Sequence, residues 1–447
     1  MLLGENYGTE LLNVGSCGLH KVHDACKTAM VAAGWGLEKV LKSMYRLLED
    51  TPARREDYFK TSQCTQAPLK FCAHRWLENS KVAQGAFDIL PHFKKFCDSA
   101  AKKEITQPQT ESFETVRTAV NNDMFLSSKL AFFVSFSKQL EPFLRKYQTD
   151  NPMVPFLFTD LHNLTFAVLR RFVKKEIIAN LSSTSDILNF SVNDPQNHVT
   201  GHAVDIGFVA DSVIKDLKRE RKVTDLQILN FKNDCKLIMV AFMEKFLAKS
   251  PLQYLLVKDL ACLDPSIIIQ DKANAAKKLK RILQTLVKSR KFNATECDAV
   301  IFEFVTFIEQ SAVNGSLSAF SRETDRLDSF YHDLLSGRNE FQNVWSVVQM
   351  LLMLSHGQAT VERGFSVNKE MEEYNMAERT LISRRVIVDH IRNQGGVDNI
   401  EITPKMLTSA SSAHSRYMLY LDSQKEKTEQ HTKKAINKNY LKVNCRP

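Results

Sequence analysis

Apolar residues recur at three- and four-residue steps along most of this chain, and this spacing constrains the fold more than any other feature. One series near the amino end comprises Leu37, Val40, Leu41, Met44, Leu47 and Leu48. A later series comprises Leu130, Phe133, Phe136, Leu140 and Phe143. Such a period places one apolar stripe along an α-helix. Because the pattern is nearly continuous after Trp76, it predicts a large all-helical region over residues 81–340.

The composition agrees with a mostly α fold around a large core. Of the 447 residues, 44% are hydrophobic and 28 are Phe, which is enough apolar material to bury a large core. The chain has only 15 Gly and 12 Pro, a balance that favours long helices over a turn-dense β-sandwich. We therefore predict a mostly α protein and exclude disorder along the whole chain.

A polar loop and two candidate short strands interrupt the helical pattern. Residues 191–202 are polar and contain Asp-Pro and Gly, which predicts an internal loop. Residues 11–14 have the composition of a short strand that turns at Gly15 into a helix carrying Cys17 and His20. A second short strand is predicted from Ile400 to Ile402.

The carboxy-terminal end carries clear helix signals followed by a basic tail. A helix over about 380–393 ends at Gly395-Gly396, and Thr403 is placed to cap a further helix that Pro404 opens. From Lys425 onward the chain is rich in Lys and poor in apolar residues. We expect this tail to be solvated and able to contact a phosphate backbone.

The net charge and the cysteine content limit which partners and which cellular compartment we expect for this chain. Lys and Arg exceed Asp and Glu by 60 to 51, giving a net charge of +9 and a pI near 8.9, which binding to a polyanion would exploit. The nine cysteines are scattered and the first residues lack a secretory signal, so we expect a reducing, intracellular compartment. The longest apolar run, Val344–Leu354, is interrupted by Ser346 and Gln349 and is shorter than the roughly 20 residues that span a bilayer. It predicts a core helix and no membrane partner.

A thiol and an imidazole lie close together near the amino end. Cys17 and His20 are three residues apart, so a helix places both on one face. That geometry suits a metal site or a nucleophile. A zinc site needs a second pair of ligands, and Cys64, Cys72 and His74 are spaced irregularly. The spacing therefore favours a packed structural Cys-His pair.

A cation and a large aromatic residue meet just before the helical region, at Arg75-Trp76. Such a pair can clamp an unpaired base by stacking and a phosphate by charge. The alternative, which the chemistry alone favours, is a half-buried Trp that anchors an edge of the core.

Glu362 follows the apolar run at 344–354. A carboxylate that emerges there can bind a divalent cation, since such cations prefer hard oxygen ligands. A surface ion pair with Arg363 is the alternative.

A predicted helix near residue 280 carries many cations around an apolar stripe. They are Lys277, Lys278, Lys280, Arg281, Lys288, Arg290 and Lys291. We take them as candidates for DNA contact, with a merely solvated helix face as the alternative.

Three of these motifs together resemble the signatures of hAT-superfamily DNA transposases. That family has a Cys/Asp-x-x-His motif, an Arg-Trp motif, and a Glu-Arg-x-Phe-Ser block in its carboxy-terminal dimerisation region. In this chain they match Cys17 with His20, Arg75 with Trp76, and residues 362–366, in the same order. The stretch 341–393 looks like the family's dimerisation segment.

The resemblance implies an RNase H-like α/β domain that is interrupted by a large helical insertion. The expected fold class is then mostly α with a small α/β part. Residues 1–80 would be the amino-terminal remnant of the RNase H-like domain, and 81–340 the all-helical insertion domain. Residues 341–397 would complete the RNase H-like domain and form the dimerisation region, and 398–447 would be a terminal helix with a basic tail.

The resemblance also defines which catalytic groups to expect. In the family, two Asp and one Glu hold the divalent cations that activate water and the 3′-hydroxyl for strand transfer. Glu362 matches the Glu, Arg75 and Trp76 match the pair that handles DNA ends, and Cys17 and His20 match the motif that supports the site. Both family Asp residues precede the Cys-x-x-His motif, whereas no Asp precedes Cys17 here. We therefore expect Glu362 to be a catalytic remnant, and the chain to be neither an enzyme nor a binder of a metal or other cofactor.

The sequence thus predicts a transposase-derived nuclear protein, a domesticated transposon product, that acts through dimerisation and DNA binding. The predicted dimerisation residues are Val344, Val348, Leu351, Leu352 and Phe365. One alternative is an active transposase or nuclease, dependent on Mg²⁺ or Mn²⁺, whose Asp residues come from a longer isoform or a partner. The other is a helical protein-interaction scaffold without a nucleic-acid role.

Overall fold

The structure is a computed structural model that describes residues 10–357 and 359–426, with only the backbone for 359–362. The chain divides into two units, Met1–Val361 and Glu362–Pro447. No β-strand is present in the described ranges, where a single isolated antiparallel bridge joins Val173 to His198. The predicted mostly α class is therefore confirmed.

The first unit is built from helices joined by short loops and 3₁₀ turns such as Trp76–Asn79 and Leu260–Leu263. Its helices are α1 Gly18–Ala32, α2 Leu37–Leu48, α3 Pro52–Ser62, α4 Ser80–Ala101, α5 Glu111–Asn122, α6 Leu126–Tyr147, α7 Val154–Leu169, α8 Lys175–Asn180, α9 Thr184–Leu188, α10 Phe208–Arg219, α11 Asp225–Leu247, α12 Leu255–Asp259, α13 Pro265–Gln270, α14 Lys272–Lys288, α15 Cys297–Asn314, α16 Leu327–Leu335 and α17 Gln342–Leu352. The carboxy-terminal part contains α18 Ala359–Met371, α19 Glu378–Asn393 and α20 Pro404–Ser411, and residues 413–426 are also helical.

Local sequence accounts for where many of these helices begin. The Thr110 side chain accepts a hydrogen bond from the Phe113 amide at the start of α5, which satisfies one of the amides that a helix leaves unpaired. At the start of α11, Thr224 and Gln227 form a reciprocal capping box. The periodic positions of α2 all face inward, since each of its six predicted apolar residues is buried. A cap thus defines the start of α5 and of α11, and an apolar stripe defines the inward face of α2.

One continuous hydrophobic core runs through the first unit. Helix α11 packs against α1, α4 and α10 pack against α6, and α2 packs against α5. Phe136 is fully buried, stacked on Phe132 and edge-on to Phe242. The boundaries expected at residues 80 and 340 lie inside this core, because apolar side chains on both sides of each position belong to it.

The two short strands expected at residues 11–14 and 400–402 are absent, and this prediction is wrong. Both segments are irregular. Leu12 and Val14 pack against the helical core, whereas Ile402 is exposed. A strand needs a neighbour to complete its hydrogen bonds, and the described residues supply none. The small α/β part of the expected fold class therefore has no strand in this part of the chain.

Other local predictions are confirmed. Residues 191–202 contain no α-helix, and the helix expected over 380–393 is α19. The Thr403 side chain accepts a hydrogen bond from the Met406 amide and so caps α20. A separate observation is that the described helices include no candidate for a membrane-spanning segment. The predicted tail from residue 427 onward lies outside the described residues.

Candidate functional site

The Cys-x-x-His motif lies against the segment that leads to Glu362. Cys17 is the residue before α1 and is half-buried, whereas His20 is exposed. A Cβ added at Gly357 would come within 3.1 Å of Cys17 Sγ. Glycine at 357 therefore permits a close approach that a larger side chain would obstruct. Cys17 and Gly357, which are far apart in the sequence, thus lie close together at the amino end of α1.

His356 fixes the same segment to the end of α6. Its Nε2 donates a hydrogen bond of 3.0 Å to the Tyr147 carbonyl oxygen, and the two rings meet edge-on. Burial lowers the pKa of His356, because a charged imidazole loses its hydration in the protein interior. Next to it, the Ser355 hydroxyl donates to the Gly357 carbonyl oxygen. His356 thus anchors this segment to α6, and the bond from Ser355 to Gly357 closes a local turn around it.

The Arg-Trp motif also packs near α1. The Leu77 amide donates a hydrogen bond of 3.5 Å to Nδ1 of the buried His23. Burial is the largest cause of a lowered pKa at His23, and the charges of Glu78, Arg75 and His20 also act on it. Arg75 itself is exposed and pairs with Glu78 at 3.1 Å. The structure therefore brings the Cys-x-x-His and Arg-Trp motifs into one neighbourhood.

Trp76 is a core residue in this arrangement. Its side chain is 3% exposed and packs edge-on against Phe71 and Phe133, with ring centroids 5.2 and 6.3 Å apart. A base needs an open ring face for stacking, so Trp76 does not offer one in this conformation. The buried indole N–H has no hydrogen-bond partner within the described part of the chain. This orphan donor is a feature that the sequence did not reveal.

No candidate metal centre emerges from the motifs. Among the described residues, no group of three or more His, Cys, Asp or Glu side chains is placed to hold a metal ion. The side chain of Glu362 lies outside the described residues, although its backbone belongs to α18.

The candidate DNA-contacting cations near residue 280 divide into two groups. Lys278 is 9% exposed, and burial lowers its pKa. Arg281 donates to the buried Asp259 carboxylate through Nε at 2.8 Å and through a second guanidinium nitrogen. These two side chains therefore serve the packing of α14 on the core. Lys291 is half-buried. The exposed cations are Lys277, Lys280, Lys288 and Arg290.

The predicted dimerisation residues also fall into two groups, one in the core of the first unit and one exposed in the carboxy-terminal unit. Val344, Val348 and Leu351 of α17 are at most 1% exposed, inside the core of the first unit, and Leu352 is half-buried. They already have apolar neighbours within their own chain. Phe365, in contrast, is 67% exposed in the carboxy-terminal unit.

The carboxy-terminal unit presents apolar side chains that sequence reasoning did not single out. Arg385 joins α19 to α18 by donating to the Gly364 carbonyl oxygen at 2.9 Å and to the Asn368 side chain at 2.8 Å. Beside these polar contacts, Ile382, Val386 and Ile387 of α19 are all more than half exposed. A count of apolar positions along α19 would have shown that they cover more of the helix than one neighbour can bury.

Comparisons of the chain with protein-family models, with curated proteins and with solved structures give no match.

Proposed function

We propose that this chain is a transposase-derived binding protein that associates with a second copy of itself through its carboxy-terminal unit and contacts DNA through exposed cations of α14. One observation carries the proposal: none of residues 363–426 is buried. In this stretch, thirteen large apolar side chains are at least 45% exposed. They are Phe365, Tyr374, Ile382, Val386, Ile387, Val397, Ile402, Met406, Leu407, Tyr417, Met418, Leu419 and Tyr420.

Helices of this length need a partner surface to be stable. An isolated helix shorter than about 12–15 residues is marginal in water, and most helix stability in proteins comes from burial of an apolar face. A second copy offers the same apolar face, so a two-fold arrangement would cover both at once. A standard interface buries about 800 Å² on each partner, which thirteen large, half-exposed side chains can supply. The hAT resemblance independently places a dimerisation segment at 341–393, which includes α19.

The proposed association surface differs from the one expected from the sequence. Val344, Val348 and Leu351 are committed to the core of the first unit. We therefore assign the contact between copies to Phe365, to the apolar residues of α19, and to the helical residues 413–426.

DNA contact is assigned to the exposed side of α14. Lys277, Lys280 and Lys288 are spaced by three and eight residues, so they lie on one face of the helix. Cations on one face can neutralise successive phosphates and release their counterions. The net charge of +9 favours the same kind of partner.

The ancestry in this proposal is supported by the closeness of two of the motifs. Cys17 with His20 and the surroundings of Arg75 lie together at α1, as motifs that once served one site would. An RNase H-like sheet would need strands, and the described residues contain none. The proposal therefore includes the helical parts of the family's architecture and a binding role, and it assigns no metal-dependent step.

The mass of the full chain in solution tests the association. We expect light scattering to give a dimer at micromolar concentration, and the double variant Ile382→Asp with Val386→Asp to be a monomer because two charges cannot be buried in an apolar contact. Val313→Asp is the matched control, since Val313 is 91% exposed in the first unit, and this variant should stay dimeric. A monomeric wild type, or a double variant that remains dimeric with unchanged helix content, would contradict the proposal.

Salt-dependent binding to a fluorescent DNA duplex tests the nucleic-acid role. We expect Lys277→Gln, Lys280→Gln and Lys288→Gln together to lower the slope of log affinity against log salt by roughly 2–3, about one for each lost phosphate contact. The control replaces three exposed lysines of α4, Lys81, Lys94 and Lys95, and should leave the slope unchanged. Equal effects in both triple variants would remove α14 from the proposal. Mg²⁺-dependent cleavage of the duplex that disappears in Glu362→Gln would instead favour a catalytic role.

A further inference from the structure

A cavity of about 510 Å³ opens beside the Arg-Trp motif, between the turn that joins α1 to α2 and the amino end of α5. Its walls come from distant parts of the sequence, including Met30, Leu37, Trp76 and Glu111. None of the groups assigned above to association or to DNA contact lines it. A cavity of this size falls within the range of small-molecule sites.

The floor of the cavity is apolar. Met30, Leu37 and Trp76 are each at most 5% exposed and line it, together with Val31, which is 64% exposed. The indole N–H of Trp76 is enclosed by the protein, so Trp76 contributes packing to the floor and no hydrogen bond to a bound molecule.

The rim of the cavity is cationic. Lys39, Lys42 and Arg46 follow one another at steps of three and four along α2 and all line the opening. Lys39 pairs with Glu111 at 2.9 Å, and Lys42 pairs with Glu38 at 2.5 Å. Two carboxylates thus compensate two of the three cations. The hydrogen bond and the charge of Lys39 lower the pKa of Glu111, and the charge of Arg46 adds to this. The positive charge of Arg46 has no counter-charge of its own among these pairs.

The amino end of α5 lies at the same opening but already has its own negative charge. Glu111 and Ser112 line the opening, and Glu111 and Glu114 are the acidic residues of the first turn. The Thr110 side chain accepts from the Phe113 amide. The surplus charge at the rim is therefore that of Arg46, which suits a single anionic group.

We propose that this cavity binds an amphipathic organic anion, with its apolar body against Val31, Met30 and Leu37 and its anionic head at Arg46. A carboxylate and a phosphate monoester share this chemistry. The site is independent of the association and DNA surfaces, so its test is independent of theirs.

Calorimetry on the full chain tests the proposal with three probes that share one apolar body: decanoate, decyl phosphate and decanol, each below its micelle-forming concentration. We expect one anion to bind per chain, and decanol to bind at least tenfold more weakly because it lacks the charge. The anion that binds with the higher affinity identifies whether the preferred head group is a carboxylate or a phosphate monoester. Saturable binding of neither anion, or decanol binding as tightly as both, would overturn the proposal.

Variants test the assigned residues. Arg46→Gln should weaken anion binding about tenfold through loss of a charge-assisted hydrogen bond, and Arg145→Gln, at a 79% exposed side chain on α6, should leave it unchanged. Both positions are exposed, so neither change should unfold the chain. Of the three tryptophans, only Trp76 lines this cavity, so Trp76→Phe should abolish the fluorescence change on binding while Trp345→Phe keeps it. An unchanged affinity in Arg46→Gln would contradict the assigned head site.

Discussion

The two units of this chain use the same secondary structure in opposite ways. In the first unit, the helices bury a continuous apolar core in which rings such as Phe93, Phe136 and Phe242 are fully enclosed. In the carboxy-terminal unit, α19 has the same kind of apolar residues, and no residue from 363 to 426 is buried. Burial of apolar surface is the dominant favourable term in folding. The contacts that stabilise the first unit therefore lie within that unit, whereas the apolar side chains of the second unit need another surface to cover them.

This contrast explains where substitutions should act. A side chain enclosed on all sides loses its contacts and leaves a cavity when it is shortened. A side chain that stands in water in the single chain should affect association much more than the stability of its own fold. The first two predictions that follow compare matched positions in the two units, and the third concerns the first unit alone.

The largest difference is expected for aromatic residues. Phe136→Ala should lower the free energy of unfolding by about 3–5 kcal/mol, because Phe136 is fully buried between Phe132 and Phe242. Phe365→Ala should change it by less than about 0.5 kcal/mol at concentrations where the chain is a monomer, since Phe365 is 67% exposed. Urea unfolding of both variants measures the two values. Similar losses would mean that the two units do not differ in the way proposed.

A smaller difference is expected for ion pairs. Asp160 is 13% exposed, accepts from Arg322, and also accepts a 2.9 Å hydrogen bond from the Tyr147 hydroxyl. Asp160→Asn should cost about 3 kcal/mol, because it leaves a half-buried guanidinium without its counter-charge. Asp389 pairs with Arg385 in the carboxy-terminal unit, where its side chain is 42% exposed. Asp389→Asn should cost less than about 0.5 kcal/mol, and an equal loss of unfolding free energy in both variants would contradict the comparison.

The smallest expected effect is a dependence on pH that arises in the first unit. Burial lowers the pKa of His23 in the folded state, so the unfolded chain binds a proton more readily. The contribution of His23 to the free energy of unfolding is then fully present above the ordinary His pKa of about 6.5. It is lost as the pH falls from there towards the pKa of His23 in the folded state. We expect unfolding at pH 5.5 to need less urea than at pH 7.5, and His23→Asn to reduce the difference. The Asn side chain can still accept from the Leu77 amide. If the urea needed at the two pH values differs as much in this variant as in the wild type, His23 does not cause the pH dependence.

Much of the fold could be predicted because its signals are local. The cap at Thr403, the stripe of α2 and the end of α19 depend on residues within a few positions of each other. The two predicted strands failed for the opposite reason. A strand depends on a partner that may lie anywhere in the chain, and short apolar runs do not reveal whether one exists.

The candidate site was less predictable because exposure depends on distant packing. Lys278 seemed one of several cations, yet it is buried, and its spacing from Ala275 and Ile282 would have placed it on the apolar face of α14. Trp76 seemed able to stack on a base until Phe71 and Phe133 proved to cover its ring. No spacing in the sequence indicated that Cys17 would touch Gly357.

The sequence by itself determined that this protein is mostly helical, and it determined the bounds of α2, the end of α19 and the start of α20, because helix hydrogen bonds and caps join residues close in the chain. Only the tertiary structure decided which apolar faces are covered. It buried Val344 and Val348, left Ile382 and Val386 exposed, and enclosed the Trp76 indole N–H without a partner among the described residues. The physical reason is that burial is a property of surfaces brought together from distant parts of the chain, and the period of a helix shows only that a face is apolar.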